Sequence, residues 1–311
     1  MIKKTLCFSN PAVLSLKNKQ MEIRLPESQL PKTKYKIFDD NYHSVPIEDI
    51  GVVVLENHQI TITNALIEAL LKNNTAVITC DSSRMPTGLL LPLSGNTVQS
   101  ERFQDQLSSS LPLRKQLWQQ TVQSKIYNQA VTLKSHTQSE TGNMFAWVDK
   151  VKSGDADNLE ARAAVYYWRN VFPSLPYFIR GREEDPPNNL LNYGYAILRA
   201  VIARSLVGSG LLPTLGIHHH NKYNAYCLAD DIMEPYRPYV DEIVIKIIES
   251  GRDYKTLSTD LKKELLKIPT IDVNIGGQRS PLMIAATTTT ASLAKCFTGE
   301  MRKIVYPEMI I

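Results

Sequence analysis

The sequence has 311 residues, 43% of them hydrophobic and 21% charged, with a formal net charge of +4. That is an ordinary globular composition, long enough for two domains and a sizeable core, and its modest positive charge permits a nucleic-acid partner without demanding one. The four cysteines, Cys7, Cys80, Cys227 and Cys296, are scattered with no C-x-x-C pair, so neither a zinc knuckle nor a disulfide framework is suggested. Cys7, Cys80 and Cys296 sit among apolar neighbours and read as buried thiols, in keeping with a reducing cytoplasm. The N-terminus, MIKKTLCFSNP, lacks an apolar h-region before Pro11 and does not read as a signal peptide. No apolar run reads as long enough to span a bilayer, so no membrane partner is expected.

In chain order the first part reads as β. Leu14 and Leu16 alternate with Ser15 and Lys17, Asn18 and Lys19 make a turn, and Met21, Ile23 and Leu25 alternate with Glu22 and Arg24. This is a hairpin with one buried face. Pro26 and Pro31 bracket a connection. Ile50 to Leu55 is nearly continuously apolar, as in a strand covered on both faces, and a short strand follows at Ile60 to Ile62. Thr63 caps a helix to about Asn73, Ala76 to Cys80 is another buried strand, and Leu89 to Leu91 is a last apolar run ended by Pro92. Ser94, Gly95 and Asn96 mark a boundary between domains at 1–95 and 96–311.

Beyond Asn96 the pattern is helical. Residues 96–136 carry Arg102, Arg114, Lys115, Lys125 and Lys134 against Glu101 and Asp105. Such a basic face suits a phosphate backbone, or is simply a solvated helix. Gly154 to Asn158 breaks the chain and supplies caps for a helix from Leu159 to Val171. Further helices are read from Asp185-Pro186 to Val207, over Tyr239 to Glu249, over Ser258 to Lys267, and from Ser280-Pro281 to Phe297, closed by Gly299. Thr287 to Thr290 interrupt that last apolar helix as a packed or locally hydrogen-bonded turn. The expected fold class is therefore α+β: a small β-rich N-terminal domain followed by a larger all-α C-terminal domain.

Polar chemistry concentrates in Gly210 to Asp241, GLLPTLGIHHHNKYNAYCLADDIMEPYRPYVD. His218, His219 and His220 are three of the chain's six histidines, and Asp230, Asp231 and Glu234 follow. Imidazole with carboxylates suits Mn²⁺ or Mg²⁺; a polar loop before an exposed helix is the alternative. Asp231 and Glu234 are spaced to share a helix face, which Arg237 continues. Pro235 disfavours the α conformation at Glu234 and places it near a helix end or kink, from which its carboxylate can turn toward the histidine loop. Pro213 and Gly216 fix the entry to that loop. If the loop is extended, His219 points away from His218 and His220. A firm metal site needs a ligand from another segment. Glu160 is the best candidate, at the start of a helix with Ala161, Ala163 and Ala164 around it; it also reads as a partner of the helix dipole.

The run TLGIHHHNKYNAYCLADDIMEPYRP resembles the signature of the CRISPR-associated spacer integrases, the first of the Cas proteins. VPIEDIGVVVLENHQITIT from Val45, MPTGLLLPLSGN from Met85, NNLLNYGYAIL from Asn188 and RSPLMIAATTTTASLAKCFTGE from Arg279 match as well. The NKYNAY and MEPYRP wording is most similar to the type II branch. The resemblance implies a β-rich N-terminal dimerisation domain, a helical catalytic domain, a homodimer, and assembly with a small second Cas protein into a heterohexameric complex on DNA. It implies Mg²⁺ or Mn²⁺ held by Glu160, His219 and Glu234, the same three being the catalytic residues. Lys222, Asp231, Arg237 and Arg279 are candidates for orienting those ligands or contacting DNA. The reaction implied is attack of a 3′-hydroxyl of a short DNA fragment on a phosphodiester of the repeat, or hydrolysis when water replaces it. Two other readings are a stand-alone metal-dependent repair nuclease for branched DNA and a non-catalytic DNA-binding scaffold.

Overall fold

The computed structural model describes residues 2–26, 42–181 and 183–310, and Pro31 therefore lies outside the described residues. The chain divides into two compact units, Met1–Leu93 and Ser94–Ile311.

The first unit holds two four-stranded sheets. One has the order β1 (Lys4–Phe8), β5 (Ile50–Leu55), β7 (Ala76–Cys80), β8 (Pro86–Leu90), with β8 antiparallel to β7 and the other pairs parallel. The other has the order β4 (Tyr42–Pro46), β3 (Gln20–Arg24), β2 (Val13–Lys17), β6 (Thr61–Ile62). Strand β5 is buried along almost its whole length, as its unbroken apolar run predicts. Lys17 pairs with Gln20, so Asn18 and Lys19 form a two-residue turn, and both have positive φ, 49° and 60°. That is the primed turn geometry which matches strand twist, and it fixes the register that turns Leu14 and Met21 inward. Helix α1 (Asn64–Lys72) is capped by Thr63, whose hydroxyl accepts from Leu66 N at 3.4 Å. Its Leu66 and Leu70 complete one core with Leu14 and Met21 from one sheet and Ile50, Val53 and Val77 from the other. Cys7 and Cys80 are only half-buried, against expectation; in the second unit Cys296 is buried as expected, and so is Cys227.

The second unit is mostly helical: α2 (Gln99–Ser108), α3 (Leu111–His136), α4 (Gly142–Lys150), α5 (Leu159–Asn170), α6 (Asn188–Gly208), α7 (Cys227–Met233), α8 (Arg237–Glu249), α9 (Thr259–Leu265) and α10 (Leu282–Thr298). It is not all-α as expected. Strands β9 (Asp272–Ile275), β10 (Gln278–Pro281) and β11 (Pro307–Glu308) form a three-stranded sheet in the order β10-β9-β11. The hairpin turns on Gly276 and Gly277, with φ of 58° and 78° between the paired Ile275 and Gln278, a conformation that glycine adopts without a Cβ clash. Ser280 consequently pairs with Val273 inside β10 instead of capping the last helix.

Helix α6 is 21 residues and apolar enough by length and composition to cross a membrane, which corrects the reading that no run is long enough. Of that apolar window 72% is buried inside the unit, where α6 packs against α7, α8 and α10. It starts at Asn188, later than Asp185, because the Asn188 side chain closes the preceding loop, donating to Ile179 O and Asp185 O at 2.8 Å each. The threonine run is both packed and locally bonded. Thr287 and Thr288 donate back to Met283 O and Ile284 O, while Thr289 and Thr290 reach out to Val305 O and Ser205 O.

Candidate active site

Helix α3 is buried along most of residues 117–133, and it organises the polar centre of this unit. Its Asn128 donates to Pro235 O at 2.8 Å and so pins the tight turn Glu234–Tyr236 between α7 and α8 against α3. Lys125 lies one helical turn before Asn128 and is 7% exposed. Its Nζ stands 2.5 Å from Glu160 Oε1 and 2.6 Å from Glu234 Oε2. Sequence reading had placed Lys125 on a basic outer face; the structure places it between two acidic residues instead. That face thins further because Arg114 donates Nε and Nη2 to Ser109 O, at 3.1 and 2.9 Å.

Local sequence explains how each carboxylate arrives. Gly154, Asp155 and Asn158 all adopt positive φ, 73°, 53° and 52°, and this turn swings the Asp155 carboxylate over the first turn of α5. Asp155 accepts from Leu159 N and Glu160 N at 2.9 Å each, so Asp155 satisfies the helix end and leaves the Glu160 side chain free to reach Lys125. Glu234 sits at the kink expected before Pro235, but its backbone stays α-helical, with φ −52° and ψ −47°, against the usual effect of a following proline. Glu234 is at once the end of α7 and the first residue of the tight turn Glu234–Tyr236. Arg237 Nε is 2.9 Å from Glu234 Oε1, and the guanidinium lies over the Tyr195 ring at 4.6 Å. Arg237 therefore holds Glu234 and is not a free clamp for phosphate. Behind it the Asp241 carboxylate accepts from Tyr195 OH at 2.5 Å and Tyr167 OH at 2.8 Å.

Burial alone drives the Glu234 carboxyl up, but Arg237 and Lys125 outweigh it and hold the group down at about 2. Burial likewise works against the Lys125 ammonium, and the charges of Glu234 and Glu160 outweigh it, so Lys125 is held protonated more firmly than a free lysine. Asp241 is pushed up to about 6 by burial, against the opposing pull of the two tyrosine hydroxyls and Arg237.

The histidine loop is bent. His218 stacks flat on Trp118 of α3, centroids 4.1 Å apart and planes 1° apart, and His219 meets the same indole edge-on at 5.5 Å. The two rings lie 5.1 Å from each other, so the expected alternation of His218 and His219 to opposite sides does not hold. The cause is Asp231, fully buried in α7, whose carboxylate accepts from His218 N at 3.0 Å and His219 N at 3.3 Å and draws the loop into a turn. Asp231 Oδ1 also lies 2.5 Å from His219 Nδ1. That bond raises the His219 pKa against the opposing effect of burial, and the charges of Glu234 and Glu160 reach the ring as well. Burial lowers His218. Gly216 is required at the loop entry by close approach: a Cβ there collides with the His219 carbonyl oxygen and stands 2.8 Å from Asp231 Oδ2. Asp230 is used elsewhere, taking Arg199 Nε at 2.6 Å and Asn224 Nδ2 at 2.7 Å.

Lys222 is exposed, its ammonium 4.8 Å from the Tyr223 ring centroid. With Arg114, His219 and His220 it lines a cavity of ≈ 330 Å³ whose walls do not include Glu160 or Glu234. Arg279 is not brought to this centre: it stands on β10, 3.6 Å from Asp272 Oδ2, and lines a different cavity with His136 and Glu242. Among the described residues no group of three His, Cys, Asp or Glu side chains is already arranged around one point as a metal cluster. The donor chemistry nevertheless fits a divalent cation. A cationic ammonium bridges Glu160 and Glu234, and Glu234 Oε2 is buried beside it without a well-aligned hydrogen bond. An Asp231-bonded Nδ1 leaves the other ring nitrogen of His219 for ligation.

Sequence reading missed Lys125, Trp118, Asp155 and Asn128. Only Asp155 carried a local signal, as a capping residue ahead of an apolar helix. The other three sit in a long helix that is buried nearly all round and shows no amphipathic stripe to mark a polar face.

A β-rich unit and a mostly helical unit built round buried charges define an α+β protein with an acidic and histidine centre. The chain belongs to the family described as CRISPR associated protein Cas1, whose model matches residues 7–266. It is 34% identical over 314 residues to the CRISPR-associated endonuclease Cas1 of Neisseria meningitidis serogroup C (strain 8013), covering 99% of this chain and 96% of the relative. Among solved structures it is similar to a casposase bound to integration product, with TM-score 0.77 and 19% identity over 98% of this chain and 92% of that one. It is also similar to a chain of a Cas6-RT-Cas1–Cas2 complex, with TM-score 0.74 and 21% identity over 99% of this chain and 36% of that one. At those identities the two likenesses are of fold.

Proposed function

We propose that the chain is a metal-dependent DNA integrase and endonuclease of CRISPR adaptation, of the type II branch that its NKYNAY and MEPYRP wording resembles, working in the cytoplasm. The observation that carries this reading is the gathering of Glu160 and Glu234 on one cation beside a His219 ring held by Asp231. Glu160, His219 and Glu234 would hold Mg²⁺ or Mn²⁺. The bound ion supplies Lewis acidity, lowering the pKa of an attacking hydroxyl and stabilising charge on the phosphoryl oxygens. The chain's own residues do the positioning. Asp231 orients the His219 ring, Arg237 orients Glu234, and exposed Lys222 offers a phosphate contact near the loop. In the reaction the 3′-hydroxyl oxygen of a short fragment bonds to a repeat phosphorus as its proton leaves to solvent. The phosphorus–oxygen bond to the neighbouring 3′ carbon breaks, and that oxygen takes up a proton.

The relatives support the partners: one solved structure is described as bound to integration product, another as a complex with Cas2. We infer DNA, a second copy of the chain and a small second Cas protein, in a heterohexamer. The experiment is insertion of a fluorescent 3′-hydroxyl duplex into a repeat plasmid, with and without Mn²⁺ and the small partner. Insertion needing both is expected. Cleavage of branched DNA without insertion under any condition favours the stand-alone nuclease, and no reaction at all favours the scaffold.

The dimer is expected to form through the N-terminal unit, residues 1–95, with catalysis carried by residues 96–311. Among the described residues β1, β8, β4 and β6 are the edge strands of the two sheets, and such edges need cover. Sedimentation at micromolar concentration should show a dimer, also for residues 1–95 fused to an inert carrier; a monomer in both overturns this.

A further inference from the structure

We infer that Lys125 is a built-in cation that occupies the metal position in the metal-free protein and has to leave for the metal to bind. This rests on the metal-site reading above and adds a residue which that reading does not use.

The argument begins with charge. Glu160 and Glu234 come from separate elements, α5 and the turn after α7, and their carboxylates meet at one ammonium, 2.5 and 2.6 Å away. The Lys125 side chain is 9% exposed and that of Glu234 is 8% exposed. Two carboxylates facing each other at such burial repel one another and are poorly solvated unless a cation sits between them. Arg237 neutralises one side of Glu234 through Oε1, and Lys125 takes the other oxygen. In the metal-free state the lysine thus keeps the two ligands assembled and pointed at a common spot.

The same contact opposes metal binding. A divalent ion and an ammonium cannot share one spot between two oxygens, because the like charges repel at contact distance in a buried setting. The lone pairs the metal needs are those Lys125 now occupies. An unbranched lysine stem has the freedom to swing its head away, which a planar arginine fork bonded to two carboxylates does not. Metal affinity is therefore set by a competition: the metal gains its ligands and the protein loses its internal ion pairs. Lys125 acts as a positioning residue, with no contact to the reacting atoms required.

The test is Mn²⁺ affinity measured on the full chain by electron paramagnetic resonance of the free ion. Folding is checked by thermal melts at saturating Mn²⁺. Lys125→Met removes the competitor, and Mn²⁺ should bind at least tenfold more tightly than to the wild-type protein, with a larger Mn²⁺-induced rise in Tm. Lys125→Arg keeps the charge in case the neutral variant fails to fold without metal. It should bind Mn²⁺ at least several-fold more weakly than wild type. Glu234→Gln separates this inference from the reading beneath it. If that variant binds Mn²⁺ as the wild-type protein does, the metal-site reading fails. If it loses Mn²⁺ while Lys125→Met binds no more tightly than wild type, or Lys125→Arg binds as tightly as wild type, the lysine inference alone is overturned.

Discussion

Replacing His219 with alanine is expected to abolish Mn²⁺-dependent strand transfer, as are Glu160→Ala and Glu234→Ala. Losing one donor from a three-donor site removes most of the contribution of the ion, several kcal/mol, or roughly a thousandfold in rate. The fold should survive the His219 change. Asp231 keeps its bonds from His218 N and His219 N when the imidazole is gone, so the loop stays turned and the buried carboxylate is not orphaned. DNA binding by the His219 variant should accordingly stay close to wild type in a filter or anisotropy assay. His218→Ala loses a flat stack on Trp118, about 1 kcal/mol of stability, and His220→Ala loses an exposed side chain that lines the cavity with Lys222. Both should keep substantial strand transfer. An active His219→Ala beside a dead His218→Ala or His220→Ala puts the ligand at the wrong histidine. Activity in all three makes the run a polar loop and removes the metal-site reading.

Arg237→Ala should be the most destabilising single change in this centre, by about 3–5 kcal/mol in urea or thermal unfolding, because it leaves the buried Glu234 with one of its two cations gone. The pH dependence has a definite sign. Glu234 titrates near 2 in the folded protein against 4.5 for the free side chain, so its contribution is fully present above 4.5 and is lost as pH falls through about 2. The size is on the order of 3 kcal/mol. Wild-type stability should fall across that window, and Glu234→Gln should flatten the fall. Asp241 runs the other way: its carboxyl is pushed up to about 6, so whatever it contributes is present at low pH and lost as pH rises through about 6. A variant series in which Arg237→Ala melts with the wild-type protein removes the ion pair as a holder of Glu234.

Much of the fold is legible in the sequence, and for a local reason. The Asn18-Lys19 turn, the Thr63 cap and the apolar run of β5 each state their conformation within a few residues. The helix start at Glu160, the loop entry at Gly216 and the proline after Glu234 are local features too, but the choice of Glu160, His219 and Glu234 as a set rests on the family resemblance. The hairpin at Gly276-Gly277 is equally local, but Ser280-Pro281 beside it also spells a helix start. The tertiary structure alone decided what lies between Glu160 and Glu234. Nothing around Lys125 distinguishes a lysine that faces water from one that faces two carboxylates, since its partners arrive from α5 and from the turn that Asn128 pins. Nor does a run of three histidines say which way each ring turns. That is set by a buried Asp231 drawing two backbone N–H groups inward and by the flat face of Trp118, contacts that exist only once α3 and α7 have packed.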